Sequence, residues 1–239
     1  MIEPALSLLV DGKVVLEAIV VTIEGNMMCY PCLEELTFKI IHMDIKPIYE
    51  LIRLHILKMY ESFITLCLEN RNLIFIPLTQ DKILILLVNK EYDAENIAQE
   101  YLKIISRVVR FKNERNMSMH YYRNKLNSSE VLNAERDPPS LIDKINKLIL
   151  NNVISAAIVI SNSGEILDQY GKIKLNGKVI ETLLSLHKSI MKDLEYKIAR
   201  LITNELDIIL VPLGVKGEIL LIAEIVRKLK TKEILERLI

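Results

Sequence analysis

The chain alternates between two kinds of apolar pattern. Short β-branched runs such as Ala18-Ile19-Val20-Val21-Thr22-Ile23 are bounded by turn residues and predict strands. Between them, apolar residues recur at helical spacing. Ile48, Leu51, Ile52, His55, Ile56 and Met59 share one helical face, and Ile180, Leu183, Leu184, His187 and Met191 share another. In the first half, a short opening segment (4–12) precedes strands at 14–23 and 27–34. The helix through Ile48 follows, then strands at 63–69, 72–78 and 82–88. A long helix with Ile97, Tyr101, Ile104, Ile105 and Val108 inward closes that half. In the second half, Pro138-Pro139 stops what precedes and Ser140 can cap a helix over 141–151, with Ile142, Ile145, Leu148 and Ile149 on one face. Strands at 156–161 and 166–170 follow, joined by Asn162-Ser163-Gly164, which tolerates positive φ. Then come the helix through His187, strands at 196–203, 207–213 and 218–225, and a last helix bearing Leu229, Ile234, Leu235 and Leu238.

The halves share more than a plan. Ala18-Ile19-Val20-Val21-Thr22-Ile23-Glu24-Gly25 reads like Ala157-Ile158-Val159-Ile160-Ser161-Asn162-Ser163-Gly164. Ile74-Phe75-Ile76-Pro77-Leu78 reads like Ile209-Leu210-Val211-Pro212-Leu213, and Ile83-Leu84-Ile85-Leu86 like Ile219-Leu220-Leu221-Ile222. The order and the similar spacing of the three blocks predict an internal duplication. The reading is an α/β (α+β) fold of two units, each a five-stranded antiparallel sheet packed with helices. One unit spans 1–111 and the other 140–239, with a basic helix extension and linker over 112–139.

This order of elements resembles the roadblock/dynein light-chain family and its longin relatives. The residues carrying the likeness are the helix 141–151, the segment Ala157–Ile166, and the strands ending at Pro212-Leu213 and Glu224-Ile225. The first unit lacks a clear opening helix, has a longer middle and is more longin-like. The resemblance implies a non-enzymatic module that binds a small Ras-like GTPase or another roadblock/longin protein, as regulator or scaffold. Such modules pair through their third strands, with the middle helices side by side. That implies an internal pseudo-dimer here, or a homodimer. Internal pairing would also hide strands 63–69 and 196–203, otherwise exposed apolar edges. The polar side of each middle-helix stripe supplies the expected partner-binding residues: Lys178, Glu181, Ser185, Lys188 and Lys192 in the second unit, and Arg53 and Lys58 in the first.

Composition narrows the choice. In 239 residues, Lys+Arg and Asp+Glu balance at 31 each, which gives no general attraction to nucleic acid or anionic membranes. The hydrophobic fraction of 51% demands sheets covered on both faces or surface hidden in a complex. Abundant Ile, Lys and Glu with little Gln suit a hot-growing, archaeal-like source. No run of 18 uncharged apolar residues occurs, and Met1-Ile2-Glu3-Pro4 lacks the basic start of a signal peptide. A cytoplasmic location without a membrane span is the expectation.

Cys29-Tyr30-Pro31-Cys32 carries the alternative function. A C-x-x-C between a strand and a helix is the arrangement of a thiol-disulfide oxidoreductase, in which the helix N-terminus activates a thiol. Against it, the repeat places the pair in a strand, no cation lies within two positions, and the second half has no cysteine. Three cysteines do not make a disulfide framework. A zinc site would need about four converging ligands, and Cys67, His42 and His55 give no recognisable spacing with the pair. His55 and His187 read as packed, hydrogen-bonded residues. The stretch Lys103, Arg107, Arg110, Lys112, Arg115, Arg123, Lys125, with Tyr121 and Tyr122, reads first as a solvated helix face, then as a dock for an acidic partner, and last as a nucleic-acid contact. No phosphate-binding glycine loop, zinc-protease helix motif or nucleophile elbow occurs, so no catalytic, cofactor or metal residue is nominated.

Overall fold

A computed structural model of the chain describes residues 6–32, 35–59, 61–111, 141–226 and 229–238. The first half contributes strands β1 (Val15–Thr22), β2 (Met27–Tyr30), β3 (Phe63–Cys67), β4 (Arg71–Pro77) and β5 (Lys82–Asn89). Its helices are α1 (Glu35–His42), α2 (Lys46–Arg53) and α3 (Ala94–Phe111). The second half contributes α4 (Leu141–Leu150), β6 (Ile154–Ser161), β7 (Ile166–Tyr170), α5 (Gly177–Asp193), β8 (Ile198–Ile202), β9 (Asp207–Leu213), β10 (Ile219–Ile225) and α6 (Thr231–Leu238).

All ten strands form one antiparallel sheet in the order β2-β1-β5-β4-β3-β8-β9-β10-β6-β7. Each half has the same strand order, and the two meet at β3 and β8. That seam pairs Phe63 with Ile202, Ile64 with Leu201, Thr65 with Arg200, Leu66 with Ala199 and Cys67 with Ile198. The inner strands of the sheet are buried almost throughout, as in Ile83–Val88 and Ile208–Val211. They read as continuous apolar runs because helices cover both faces.

The two faces differ. On one, α1, α2 and α5 cover a single core that crosses the seam, joining Ile19, Ile48, Leu66 and Phe75 to Leu183, Ile190, Leu201 and Ile222. Here α5 lies against both α2 and α1. On the other face there are two cores. One gathers Leu6, Phe63, Leu86, Ile97 and Leu102 under α3. The second gathers Ile145, Leu148, Ile209, Leu221 and Ile234 under α4 and α6.

Three local expectations change. Strand β2 ends at Tyr30 rather than near residue 34, because Pro31 has no N–H to continue the ladder. Helix α1, which the repeat plan did not include, follows it, and its Thr37 hydroxyl donates to the buried Glu17 carboxylate of β1. The helix through Ile48 stops at Arg53, so His55, Ile56 and Met59 do not share its face. His55 has φ 58°, its N–H donates to the Ile52 carbonyl, and Ile56 N–H donates to the Leu51 carbonyl. That is a Schellman stop with His55 in the left-handed position, and it leaves His55 exposed. Asn152 plays the same part after α4, with φ 52°.

The buried arc of α5 is also wider than the expected stripe. Val179, Thr182, Leu186 and Ile190 are buried with Leu183, Leu184 and His187, whereas Ile180 and Met191 are half-buried. A helix resting on a sheet and flanked by α1 and α2 buries more than one side. On α3, Ile97 and Leu102 are buried, Tyr101, Ile104 and Ile105 half-buried, and the side chain of Val108 lies outside the described residues. The linker 112–139 also lies outside them.

Left-handed backbone is costly for a β-carbon-bearing residue and free for glycine. Replacing His55 with Gly is expected to raise stability by up to about 1 kcal/mol in urea unfolding. A loss of stability would mean that the His55 side chain makes a contribution beyond its backbone.

Candidate partner-binding face and its supports

Helix α5 starts cleanly because Asn176 caps it, its side chain accepting the Val179 N–H at 3.0 Å. Its buried arc fixes its rotation, so Lys178, Glu181, Ser185, Lys188 and Lys192 all face solvent. The residues expected to bind a partner on this helix are therefore brought to one exposed face. Arg53 on α2 is exposed as well, and Lys58, beyond α2, is half-exposed.

Among the described residues, three of these seven side chains have ion-pair partners. Glu50 of α2 accepts Arg53 at 2.8 Å and lies 3.6 Å from Lys178 of α5. The Arg53 hydrogen bond is the main reason the Glu50 carboxyl sits below its usual range, with burial opposing it. Lys58 reaches across the seam to Glu205 at 2.6 Å, which raises the ammonium and lowers the carboxyl. Such exposed pairs contribute little stability. Their effect is to occupy charges, and Glu181, Ser185, Lys188 and Lys192 have no such ion pair among the described residues. Beside them, Ser189 donates to the Asp44 carbonyl in the α1–α2 connection. Of the basic stretch, Lys103 is exposed on α3, and the side chains from Arg107 to Lys125 lie outside the described residues.

Under this face, His187 is fully buried. Its Nε2 lies 2.8 Å from the Gly217 carbonyl and its Nδ1 2.8 Å from the Tyr196 hydroxyl. A carbonyl only accepts, so Nε2 carries the proton and Nδ1 accepts from Tyr196. Gly217 makes the approach possible: with φ 66°, a β-carbon there would lie 2.9 Å from Met191 Cε and 3.2 Å from His187 Cε1. Burial lowers the His187 pKa, the Gly217 carbonyl pulls the other way, and Lys188 adds a smaller lowering. This bears out the sequence reading of His187 as a packed, hydrogen-bonded residue, and corrects that of His55.

On the opposite face, the seam is locked by residues the sequence did not nominate. Arg200 of β8 is 3% exposed. Its Nε and Nη2 donate to both Asp207 oxygens at 2.8 and 2.6 Å, a two-pronged fork. Its Nη1 reaches the Glu95 oxygens at 2.8 and 2.9 Å and the Leu229 carbonyl at 2.7 Å. Glu95 also accepts the backbone N–H of Thr231 at 3.1 Å and its hydroxyl. A carboxylate from α3 thus caps the first turn of α6 in the other half. Burial works against the Arg200 charge, but Asp207 and Glu95 outweigh it and keep the group protonated. The sequence did carry one signal: a lone Arg inside the apolar strand Ile198-Ala199-Arg200-Leu201-Ile202.

The cysteines separate into two kinds. Cys29, half-buried in β2, and Cys32, exposed just beyond it, are joined by a disulfide. Cys67, on β3 at the seam, is not disulfide-bonded. Burial, reinforced by the Glu95 and Asp93 charges, pushes its thiol up to about 11. Among the described residues, no group of three or more His, Cys, Asp and Glu is placed to hold a metal ion, and no helix is long and apolar enough to cross a membrane.

No protein-family model matches the chain, and no curated protein matches it.

Removing Arg200 strands two carboxylates, Asp207 and Glu95, near the seam. Arg200→Met is expected to lower stability by about 3–5 kcal/mol in urea unfolding, the usual loss when one partner of a buried ion pair is removed. Arg200→Lys, which keeps the charge without the fork, should restore only part of it.

His187 sets a pH dependence. Its folded pKa is depressed, so its contribution is fully present above the ordinary value of 6.5 and is lost as pH falls below it. Chemical denaturation should show wild-type stability falling by at most about 1.4 kcal/mol per pH unit from this group. The fall below that pH should be shallower in His187→Gln, and equal slopes would assign the acid sensitivity elsewhere.

Proposed function

We propose that the chain is a tandem roadblock/longin-like protein whose two units form an internal pseudo-dimer. In this reading it binds a small Ras-like GTPase, or another roadblock/longin protein, as a non-enzymatic regulator or scaffold in the cytoplasm. The observation that carries the reading is the seam. Two sets of five strands with the same order join through β3 and β8, and α2 and α5 lie side by side above them. This supports the reading, because the resemblance implies strand pairing of that kind with the middle helices side by side.

In this reading the outer face of α5 is the docking surface. Lys188 and Lys192, one helical turn apart and exposed, give it a positive end that suits an acidic partner surface. Glu181 and Ser185 continue the face toward Lys178.

The test is purification of the tagged full chain from its native cell, identification of any co-purifying GTPase, and reconstitution with that GTPase as a pure protein. Calorimetry should show binding that weakens as salt is raised and falls about tenfold or more in Lys188→Glu/Lys192→Glu, while urea unfolding of the variant stays at the wild-type midpoint. Recovery of no GTPase, or binding indifferent to the double substitution and to salt, would count against the reading.

A further inference from the structure

We propose that Cys29 and Cys32 form a two-electron thiol–disulfide exchange site that accepts electrons from dithiols and is entered at Cys32. This is independent of the partner-binding reading. The two sulfurs are bonded and sit at one outer end of the sheet, where no strand pairs with the far side of β2 among the described residues. Their environments differ. Cys29 lies opposite Ile19 in the ladder and packs against the core that crosses the seam. Cys32 is exposed, past the end of the strand.

A nucleophile attacks a disulfide along the line of the bond, so the exposed sulfur is the one attacked and the inner one leaves. One thiolate of the dithiol bonds to Cys32 Sγ, the Cys29–Cys32 bond breaks, and Cys29 departs as a thiolate that takes up a proton. The second thiol of the donor then attacks its own sulfur in the mixed disulfide, and Cys32 leaves and is protonated. Two electrons and two protons pass to the protein, and the donor becomes a disulfide. Oxidised glutathione, or another disulfide, reverses the sequence. Cys67 takes no part: it is half-buried on β3, four strands further into the sheet, at least about 19 Å away at the usual strand spacing.

The test uses the folded full chain at about pH 7.5, where an ordinary thiol is partly ionised. Oxidised protein is mixed with dithiothreitol, quenched with iodoacetamide and mapped by mass spectrometry. Cys29 and Cys32 should become alkylated together without denaturant while Cys67 stays unmodified, and oxidised glutathione should restore the bond. Two single variants then read the direction. Cys29→Ser, which leaves Cys32, should form a mixed disulfide with oxidised glutathione about tenfold or more faster than Cys32→Ser, which leaves Cys29. Circular dichroism checks that both variants are folded, and the wild-type measurement stands if either is not. A bond reduced only after unfolding, equal rates in the two variants, or faster reaction of Cys32→Ser would each overturn the proposal and leave a purely structural crosslink.

Discussion

The pairing of β3 with β8 is the contact on which the rest depends. Each strand would otherwise be an apolar sheet edge with unsatisfied backbone groups. Joining them turns two five-stranded sheets into one and places α2 beside α5. That in turn creates the core that crosses the seam and sets the rotation of α5. The exposure of Lys188 and Lys192 is a late consequence of the same contact, since a helix buried on two sides has little choice about which residues face water.

Among the described residues the sheet has two further edges, and they are treated differently. At one end, β2 is four residues long and is cut off by Pro31, a common way of blunting an edge. At the other end, β7 exposes Ile166 and Leu167 but carries Asp168 at its centre. A second copy adding there in antiparallel register about that residue would set Asp168 against Asp168, which is unfavourable. The sheet grows inward at the seam and is discouraged from growing outward.

Most of the fold is legible in the sequence because its strands are long apolar runs and its helices strongly periodic. The repeated blocks by themselves equate β1, β4 and β5 with β6, β9 and β10. What is not legible depends on contacts between distant residues. Helix α1 follows the early stop of β2 at Tyr30, and the repeat has no counterpart for it. The stop after Arg53 uses a histidine where glycine or asparagine is the usual signal, so the apolar spacing of Ile56 and Met59 suggests a longer helix. The side chains facing solvent on α5 are readable from one helix alone. The Arg200 cluster is not, because Glu95 lies 105 residues away in the chain and only the seam brings it to Arg200.

The central pair of that seam, Thr65 with Arg200, bears on symmetry. In a dimer of identical chains, the residue at the middle of such an antiparallel pair meets its own copy, and an arginine there would face an arginine. Within a single chain that constraint is absent. One strand can carry the charge while the other carries a small neutral residue, and the two acids that neutralise it come one from each half, Glu95 from α3 and Asp207 from β9. The lock is thus available to a covalent pair and closed to a homodimer of either half. With the lock in place, neither half can stand in for the other at the seam, and the two outer surfaces are under no requirement to match.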